Sequence, residues 1–314
     1  MFINATGFYI PTQRIHNDYF LNINGLSSDW ILQRTGIETR AKAGKDENTQ
    51  TMGLEAVENA LPQLPYPVSE VDLVVSACYS PFDTVGTLAH VVQREYKIEN
   101  AKALYISSAC SSFANALEVA EGYFAMNKAK TALIVCSEHN TYYANESDSK
   151  AGHLWGDAAV ALFISREKQQ ENEPEIVDIY TRGLGHIGKG PLGVYLRPKT
   201  EGIVMPDGKD VFLHACKYMC EVLHTLTRRN GYTIDDLSYI ICHQANLRIV
   251  HNIGHQLNLD DDRFLNNIRE LGNTGSASAM LVLAQHIHEL KKNDLIGLTV
   301  FGGGYSSGGF LVKI

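Results

Sequence analysis

The sequence predicts an α/β protein whose two halves repeat one strand–helix plan, and three observations support this. Fully apolar runs of strand length, such as Asp72-Leu73-Val74-Val75-Ser76-Ala77-Cys78 and Thr131-Ala132-Leu133-Ile134-Val135-Cys136, alternate with stretches whose apolar residues recur at helical spacing. Runs without polar alternation mark strands buried on both faces, and so a mostly parallel sheet covered by helices. Three segments then recur at nearly one offset: 164 for Asp236 against Asp72, 163 for Met280 against Leu117 and 165 for Val300 against Val135. Such agreement indicates an internal duplication. Finally, 314 residues are enough for a large core and suit one duplicated unit, divided as 1–165 and 176–314 across the polar stretch Arg166 to Glu175.

Taken in order, Met1 to Ile10 reads as an opening strand. Gly25-Leu26-Ser27-Ser28-Asp29-Trp30-Ile31-Leu32-Gln33-Arg34 reads as a capped helix start, and Thr51 to Leu61 as a helix. Asp72 to Cys78 is a buried strand, followed by a loop and helix around Val85 to Tyr96. Next comes the stretch around which the chain is organised: Ala103-Leu104-Tyr105-Ile106, a cluster of small residues ending in Ser111-Ser112, and a helix marked by Phe113, Leu117, Ala120 and Phe124. In the second half, Asp236 to Cys242, a glycine-rich turn at Leu271 to Ala277 and Leu298-Thr299-Val300 repeat this plan.

A net charge of −8 supplies no bulk basic face for phosphate, which argues against a nucleic-acid binder. Six cysteines without pairing spacing, no apolar segment of membrane-spanning length and no N-terminal signal pattern together point to a reducing, cytoplasmic location with no membrane association.

Cys110 falls between the strand and helix of the organising stretch. There the helix's unpaired N–H groups and positive dipole end favour a thiolate, the nucleophilic form. The other reading is a small buried hydrophobe, as most free cysteines are. His243 stands just past a buried strand in Ile240-Ile241-Cys242-His243-Gln244-Ala245-Asn246, a position of the same kind, although a histidine is more often a surface or core residue. Asn273 occupies in the second half the place of Cys110 in the first; it serves as a rigid amide donor, a helix cap, or both. Phe301-Gly302-Gly303-Gly304-Tyr305 is either a tight turn or a backbone cradle whose N–H groups meet a developing oxyanion. Trp30 and Arg34 are either a packing and a surface residue or a ligand platform.

Together these residues resemble the ketoacyl-ACP synthase III family of the thiolase superfamily over essentially the whole chain. The matching motifs are Asp29-Trp30-Ile31 through Arg34-Thr35-Gly36-Ile37, Ser108-Ala109-Cys110, Trp155-Gly156-Asp157-Ala158, His243 to Ile249, Gly272-Asn273-Thr274 and Phe301-Gly302-Gly303-Gly304. Each motif alone is weak; their order and spacing are specific. The resemblance implies a thiolase-like, duplicated, five-layered αβαβα fold, a homodimer without a permanently bound cofactor, and acyl-CoA and malonyl-ACP as substrates. By the same resemblance Cys110 takes the acyl group, its carbonyl oxygen held by the N–H groups of Cys110 and Gly303, while His243 and Asn273 stabilise the enolate of malonyl-ACP. Trp30 and Arg34 match the platform for the coenzyme A adenine, Gly208 and Asn246 the pantetheine tunnel, and Arg248 the arginine that docks the acyl carrier protein.

Several positions depart from that pattern. Ser111-Ser112 replaces Ala-Gly, Ala158 replaces Gly, Ser149-Lys150 stands near an expected adenine-clamp arginine, and His255 and Gln256 replace carrier-docking lysines. The principal alternative is a specialised-metabolism branch of the family that takes longer acyl or β-ketoacyl groups, or transfers acyl groups to an alcohol or amine. A cysteine peptidase shares Cys, His and Asn but not the duplicated plan, and a scaffold without activity predicts no acylation of Cys110. His214, Cys216 and Cys220 share one helix face and lack a fourth ligand for zinc.

Overall fold

The computed structural model describes residues 1–314. Nine strands form the main sheet: β1 (Phe2–Tyr9), β2 (Leu73–Ala77), β3 (Lys102–Ile106), β4 (Thr131–His139), β5 (Asp157–Ser165), β6 (Glu175–Gly183), β7 (Tyr239–Cys242), β8 (Leu295–Gly302) and β9 (Ser306–Lys313). Their spatial order is β7-β8-β9-β6-β1-β5-β4-β2-β3. Read outward from the middle, the first half runs β1-β5-β4-β2-β3 and the second β6-β9-β8-β7, the same path. The fifth strand of the second half is reduced to a parallel bridge between Ile240 and Phe264. The halves meet at β1 and β6, where Ile3 N–H donates to Pro174 O at 2.8 Å and Ile176 N–H to Met1 O at 2.7 Å.

The sheet is mixed, not mostly parallel. β2 pairs in parallel with β3 and β4, and β7 with β8, but β4–β5, β5–β1, β1–β6, β6–β9 and β9–β8 are antiparallel. An apolar run buried on both faces reads the same in either direction, so composition does not encode strand sense. The duplication also needs a correction of register. Leu298 and Val300 face the core between the halves, whereas Leu133 and Val135 face the outer core, so the 165-residue match of β8 to β4 lies one residue out of phase.

Helices fall into three layers around these strands. α1 (Ser28–Thr35) is capped by Ser27, which accepts Trp30 N–H, and stops at Gly36, whose φ of 76° is a left-handed conformation that glycine adopts without strain. α2 (Thr49–Ala60) and α3 (Leu88–Glu95) cover the outer face of the first half through Met52, Ala56, Val57, Leu88 and Val92. α4 (Ser112–Ala125), α5 (Gly208–Arg229), α6 (Leu247–Leu257) and α7 (Ser278–His286) are the other long helices, and shorter ones span Tyr19–Asn24, Asn140–Tyr143 and Ile268–Leu271. α5 and α6 cover the second half, while α4 and α7 lie between the halves in a core shared by both. Five layers result. Phe113, Leu117, Ala120 and Phe124 of α4 are all buried in that central layer, where each large apolar side chain contributes about 1.5–3 kcal/mol. No helix is long and apolar enough to cross a membrane.

Candidate active site

Strand ends of both halves point at one place. Cys110 follows β3 on a turn in which Ala109 takes φ 50°, left-handed for a residue with a Cβ. Serines hold the turn: Ser112 Oγ accepts Ser108 N–H at 2.8 Å and donates to Ala109 O at 2.6 Å, while Ser111 Oγ donates to Ser108 O at 2.7 Å. Ser111 Oγ also pairs at 2.6 Å with Ser306 Oγ of β9, stitching the turn to the other half. Gly302 lets that half come close, since a Cβ there would sit 2.8 Å from Ser108 O and 3.0 Å from both Cys110 N and Ser111 N.

The Cys110 thiol is buried, and burial, followed by the nearby Glu138 carboxylate, pushes its pKa up to about 12. Burial thus favours the thiol in the resting state, against the helix start, which favours a thiolate. The backbone N–H groups of Gly303 and Cys110 point at the sulfur and favour its ionised form, as does the nearby Tyr79 hydroxyl.

Glu138, at the end of β4, is fully buried and its pKa is raised by burial to about 7. It accepts Tyr79 N–H at 3.1 Å, Ser80 N–H at 3.0 Å and the hydroxyls of Ser80 and Ser276, so it ties the end of β2 to the turn that carries Asn273. The sequence reading missed it; an acid closing the apolar run Thr131 to Cys136 was the available signal.

His243 is buried and neutral, its pKa lowered by burial to about 4. Its backbone N–H donates to Thr299 O at 2.8 Å, and its ring Nδ1 lies 2.7 Å from Ser278 Oγ, which accepts Gln244 N–H at 3.3 Å. The arrangement that satisfies all three groups has Ser278 donating to Nδ1, which leaves the hydrogen on Nε2. Asn273 is fixed in the same manner: Oδ1 accepts Gly275 N–H at 3.0 Å, leaving the Nδ2 hydrogens for the cleft.

Cys110, His243, Asn273, Gly303, Gly208 and Asn246 line one cavity of about 100 Å³. Its other walls are apolar, among them Leu154, Phe212 and Met219. Larger clefts of about 630 and 880 Å³ exist elsewhere, but they are polar, open and without any of the three reactive side chains. A second cavity of about 250 Å³ also reaches Cys110; it shares Trp155, Val194 and Gly303 with the first and is bounded as well by Tyr79, Leu196 and Ile203.

Trp30, Arg34 and Arg248 do not line either cavity. Trp30 is exposed on α1, with the Arg34 guanidinium 5.6 Å from its ring centroid. Asn246 links this outer platform to the cavity: its Nδ2 donates to Arg34 O at 3.1 Å while its Oδ1 accepts Arg248 N–H at 2.9 Å. Arg248 is exposed at the start of α6 and lies 6.0 Å from the ring of Phe212. Lys150, near the expected clamp arginine, is engaged by backbone, its Nζ donating to Pro206 O at 3.5 Å.

Comparison with known proteins is decisive at the level of family. A relative from Clostridium novyi, a beta-ketoacyl-[acyl-carrier-protein] synthase III, is 31% identical over 99% of this chain and 98% of its own length. The chain belongs to the 3-oxoacyl-ACP synthase III family. The family model described as 3-Oxoacyl-[acyl-carrier-protein (ACP)] synthase III matches residues 105–183, and that of the C-terminal region matches residues 227–314. The crystal structure of the Aquifex aeolicus synthase III superposes with a TM-score of 0.92 at 30% identity, covering 100% of this chain and 99% of that one. The priming β-ketosynthase of the R1128 polyketide pathway superposes at 0.90 with 26% identity, over 99% and 95% of the two chains. The protein is thus a thiolase-like condensing enzyme, an acyltransferase by class.

Proposed function

We propose that this synthase III condenses an acyl-CoA with malonyl-ACP, the step that opens fatty-acid synthesis. One observation carries the reading: a thiol from the first half, an imidazole N–H and a carboxamide from the second, and backbone N–H groups of Cys110 and Gly303 all meet in one narrow cavity.

In the first stage Cys110 Sγ bonds to the acyl carbonyl carbon, the carbon–sulfur bond to coenzyme A breaks, and the cysteine proton leaves on the coenzyme A sulfur. The N–H groups of Cys110 and Gly303 hold the carbonyl oxygen as it gains charge. In the second, malonyl-ACP loses carbon dioxide. His243 Nε2–H and Asn273 Nδ2–H donate to the enolate oxygen, the enolate carbon bonds to the acyl carbonyl carbon, and the carbon–sulfur bond to Cys110 breaks, releasing 3-oxoacyl-ACP and a cysteine thiolate that takes a proton from water to become the thiol again. No added base is needed for that loss, and a neutral imidazole with an oriented amide supplies the two donors.

The apolar walls past Gly208 and Asn246 suit a pantetheine arm. Trp30 with Arg34 suits an adenine at the mouth, and exposed Arg248 suits the acidic carrier protein. The division 1–165 and 176–314 follows the repeated strand path. Phe82 and Val85, exposed on one loop, suit burial in a homodimer, and reduced cysteines suit the cytoplasm.

Incubation with a panel of acyl-CoA thioesters, followed by mass spectrometry of the Cys110 peptide, tests the reading: one acyl mass is expected, and an unmodified peptide throughout the panel contradicts it. The likeness to a priming ketosynthase of polyketide synthesis keeps a specialised pathway as the second reading. The acyl group that acylates fastest separates the two.

A further inference from the structure

Gly303 offers its backbone N–H to the acyl oxygen from a stretch of chain poorly suited to holding a donor still. It opens the turn Gly303-Gly304-Tyr305 between the paired residues Gly302 of β8 and Ser306 of β9. Three consecutive glycines have no side chains to anchor them and the widest backbone freedom of any residue. An oxyanion donor works only if it is already aimed when charge develops, so groups outside the glycines must fix it.

Tyr305 is the first such group. Its ring is 2% exposed and packs with its centroid 5.0 Å from that of Phe301 and 5.6 Å from that of His214. A Cβ on Gly193 would collide with the ring and its hydroxyl, so that close seat exists only for glycine. The hydroxyl donates to Asp210 Oδ2 at 2.6 Å, and the same oxygen accepts Lys189 N–H at 3.0 Å. Tyr305 O accepts Leu184 N–H at 2.9 Å. One carboxylate thus joins the hairpin turn, the loop Leu184 to Gly193 and the first turn of α5, where Asp207 accepts Asp210 N–H at 3.1 Å. Charge-assisted bonds of this kind are the stronger ones. The loop runs on into Val194, which closes on the donor itself: a Cβ on Gly303 would sit 3.0 Å from both Cβ and O of Val194. Gly303 is therefore gripped along its own chain by Tyr305 and across the cleft by Val194, and Asp210 holds both grips.

We propose that Tyr305 and Asp210 are positioning residues that aim the Gly303 N–H at the thioester oxygen. This rests on Cys110 being the acylated nucleophile. Neither residue lines either cavity at Cys110, so both act through the turn and the loop rather than on the substrate.

The test is single-turnover acylation of Cys110, followed by intact mass over a range of concentrations of the acyl-CoA that loads the parent protein fastest. Tyr305→Phe keeps the ring and removes one hydrogen bond. Its limiting rate should fall about tenfold with the half-saturating concentration unchanged within about twofold, because losing an oxyanion donor outright costs a hundredfold or more and this one is only loosened. Asp210→Ala should do the same. Asp210→Asn, whose amide oxygen still accepts from Tyr305 and Lys189, should stay within about threefold of the parent. The pair acts as one unit, so Tyr305→Phe combined with Asp210→Ala should be no more than about twofold slower than the slower single variant. Carbon dioxide release from malonyl-ACP, which His243 and Asn273 serve, should stay within a factor of a few. Thermal melting checks folding, and the two Asp210 variants decide if Tyr305→Phe does not fold. A limiting rate within about twofold of the parent in both folded single variants, or an equal loss of acylation and carbon dioxide release as from a general loosening, overturns the inference and leaves acylation of Cys110 standing. A parent protein that no thioester acylates overturns the underlying reading and the inference with it.

Discussion

The two halves of this protein share a strand path but arm it differently. In the first, Tyr79 and Cys110 stand past strand ends and Glu138 is the next-to-last residue of β4; in the second, His243 and Gly303 stand past strand ends and Asn273 on the turn before α7. The first-half set is a thiol, a phenol and a buried acid, with the sulfur held as a thiol by burial and by Glu138. The second-half set is neutral and donating: an imidazole lowered to about 4 by burial, an amide oriented by Gly275, and a bare backbone N–H. Duplication thus supplies symmetric places, and divergence assigns bond formation to one side and charge stabilisation to the other. Neither half suffices alone.

Gly302→Ala breaks the comparison most severely, because the added methyl meets only backbone atoms of the Cys110 turn, the nearest at 2.8 Å. A displacement near 1 Å at a nucleophile costs about a hundredfold, which stopped-flow or quenched acylation rates will show. Ser278→Ala acts on the second half alone. It removes the hydroxyl at His243 Nδ1 and should lower malonyl decarboxylation roughly tenfold while acylation stays within a factor of a few, a split visible in separate carbon dioxide and acyl-mass assays.

The same imidazole gives a pH signature. Its pKa falls from 6.5 to about 4 on folding, so between those values the unfolded chain holds more protons. The stability tied to neutral His243 is complete above pH 6.5 and is lost as pH falls toward 4. Melts between pH 4.5 and 7 should show a shallower slope in His243→Gln.

Smaller effects are expected at the seam and at the mouth. Ser111→Ala and Ser306→Ala, singly and together, should show a coupling of about 1 kcal/mol in urea unfolding, since their hydroxyls meet at 2.6 Å across the two halves. Additive losses would make the seam incidental. Trp30→Ala should raise the KM for acyl-CoA about threefold with kcat unchanged, the scale of an exposed cation–π contact.

Much of this was legible in the sequence, because the signals were local. The small-residue turn before Phe113 marked Cys110, the strand end at Cys242 marked His243, and the offset of the halves matched Asn273 to Cys110. Strand sense was not legible, because buried runs carry no direction, and the face of β8 was not, because a match of apolar runs leaves the pleat free by one residue. Contacts between residues far apart in sequence were also hidden. Ser111 meets Ser306 and Glu138 meets Ser276 only once both halves are folded, and Tyr79 gave no sign of its place beside the sulfur. A helix start beside Cys110 can be read from sequence, but the loss of water that opposes ionisation there cannot.

The most direct measurement is single-turnover partitioning in Asn273→Ala. Cys110 is loaded with a labelled acyl group, malonyl-ACP is added, and carbon dioxide and acyl-enzyme are counted against the parent protein. The division between halves predicts near-normal loading followed by a stalled acyl-enzyme with carbon dioxide release reduced at least about a hundredfold, the scale of a lost charge-stabilising donor. Equal loss of loading and decarboxylation, or decarboxylation at the parent rate, would contradict it.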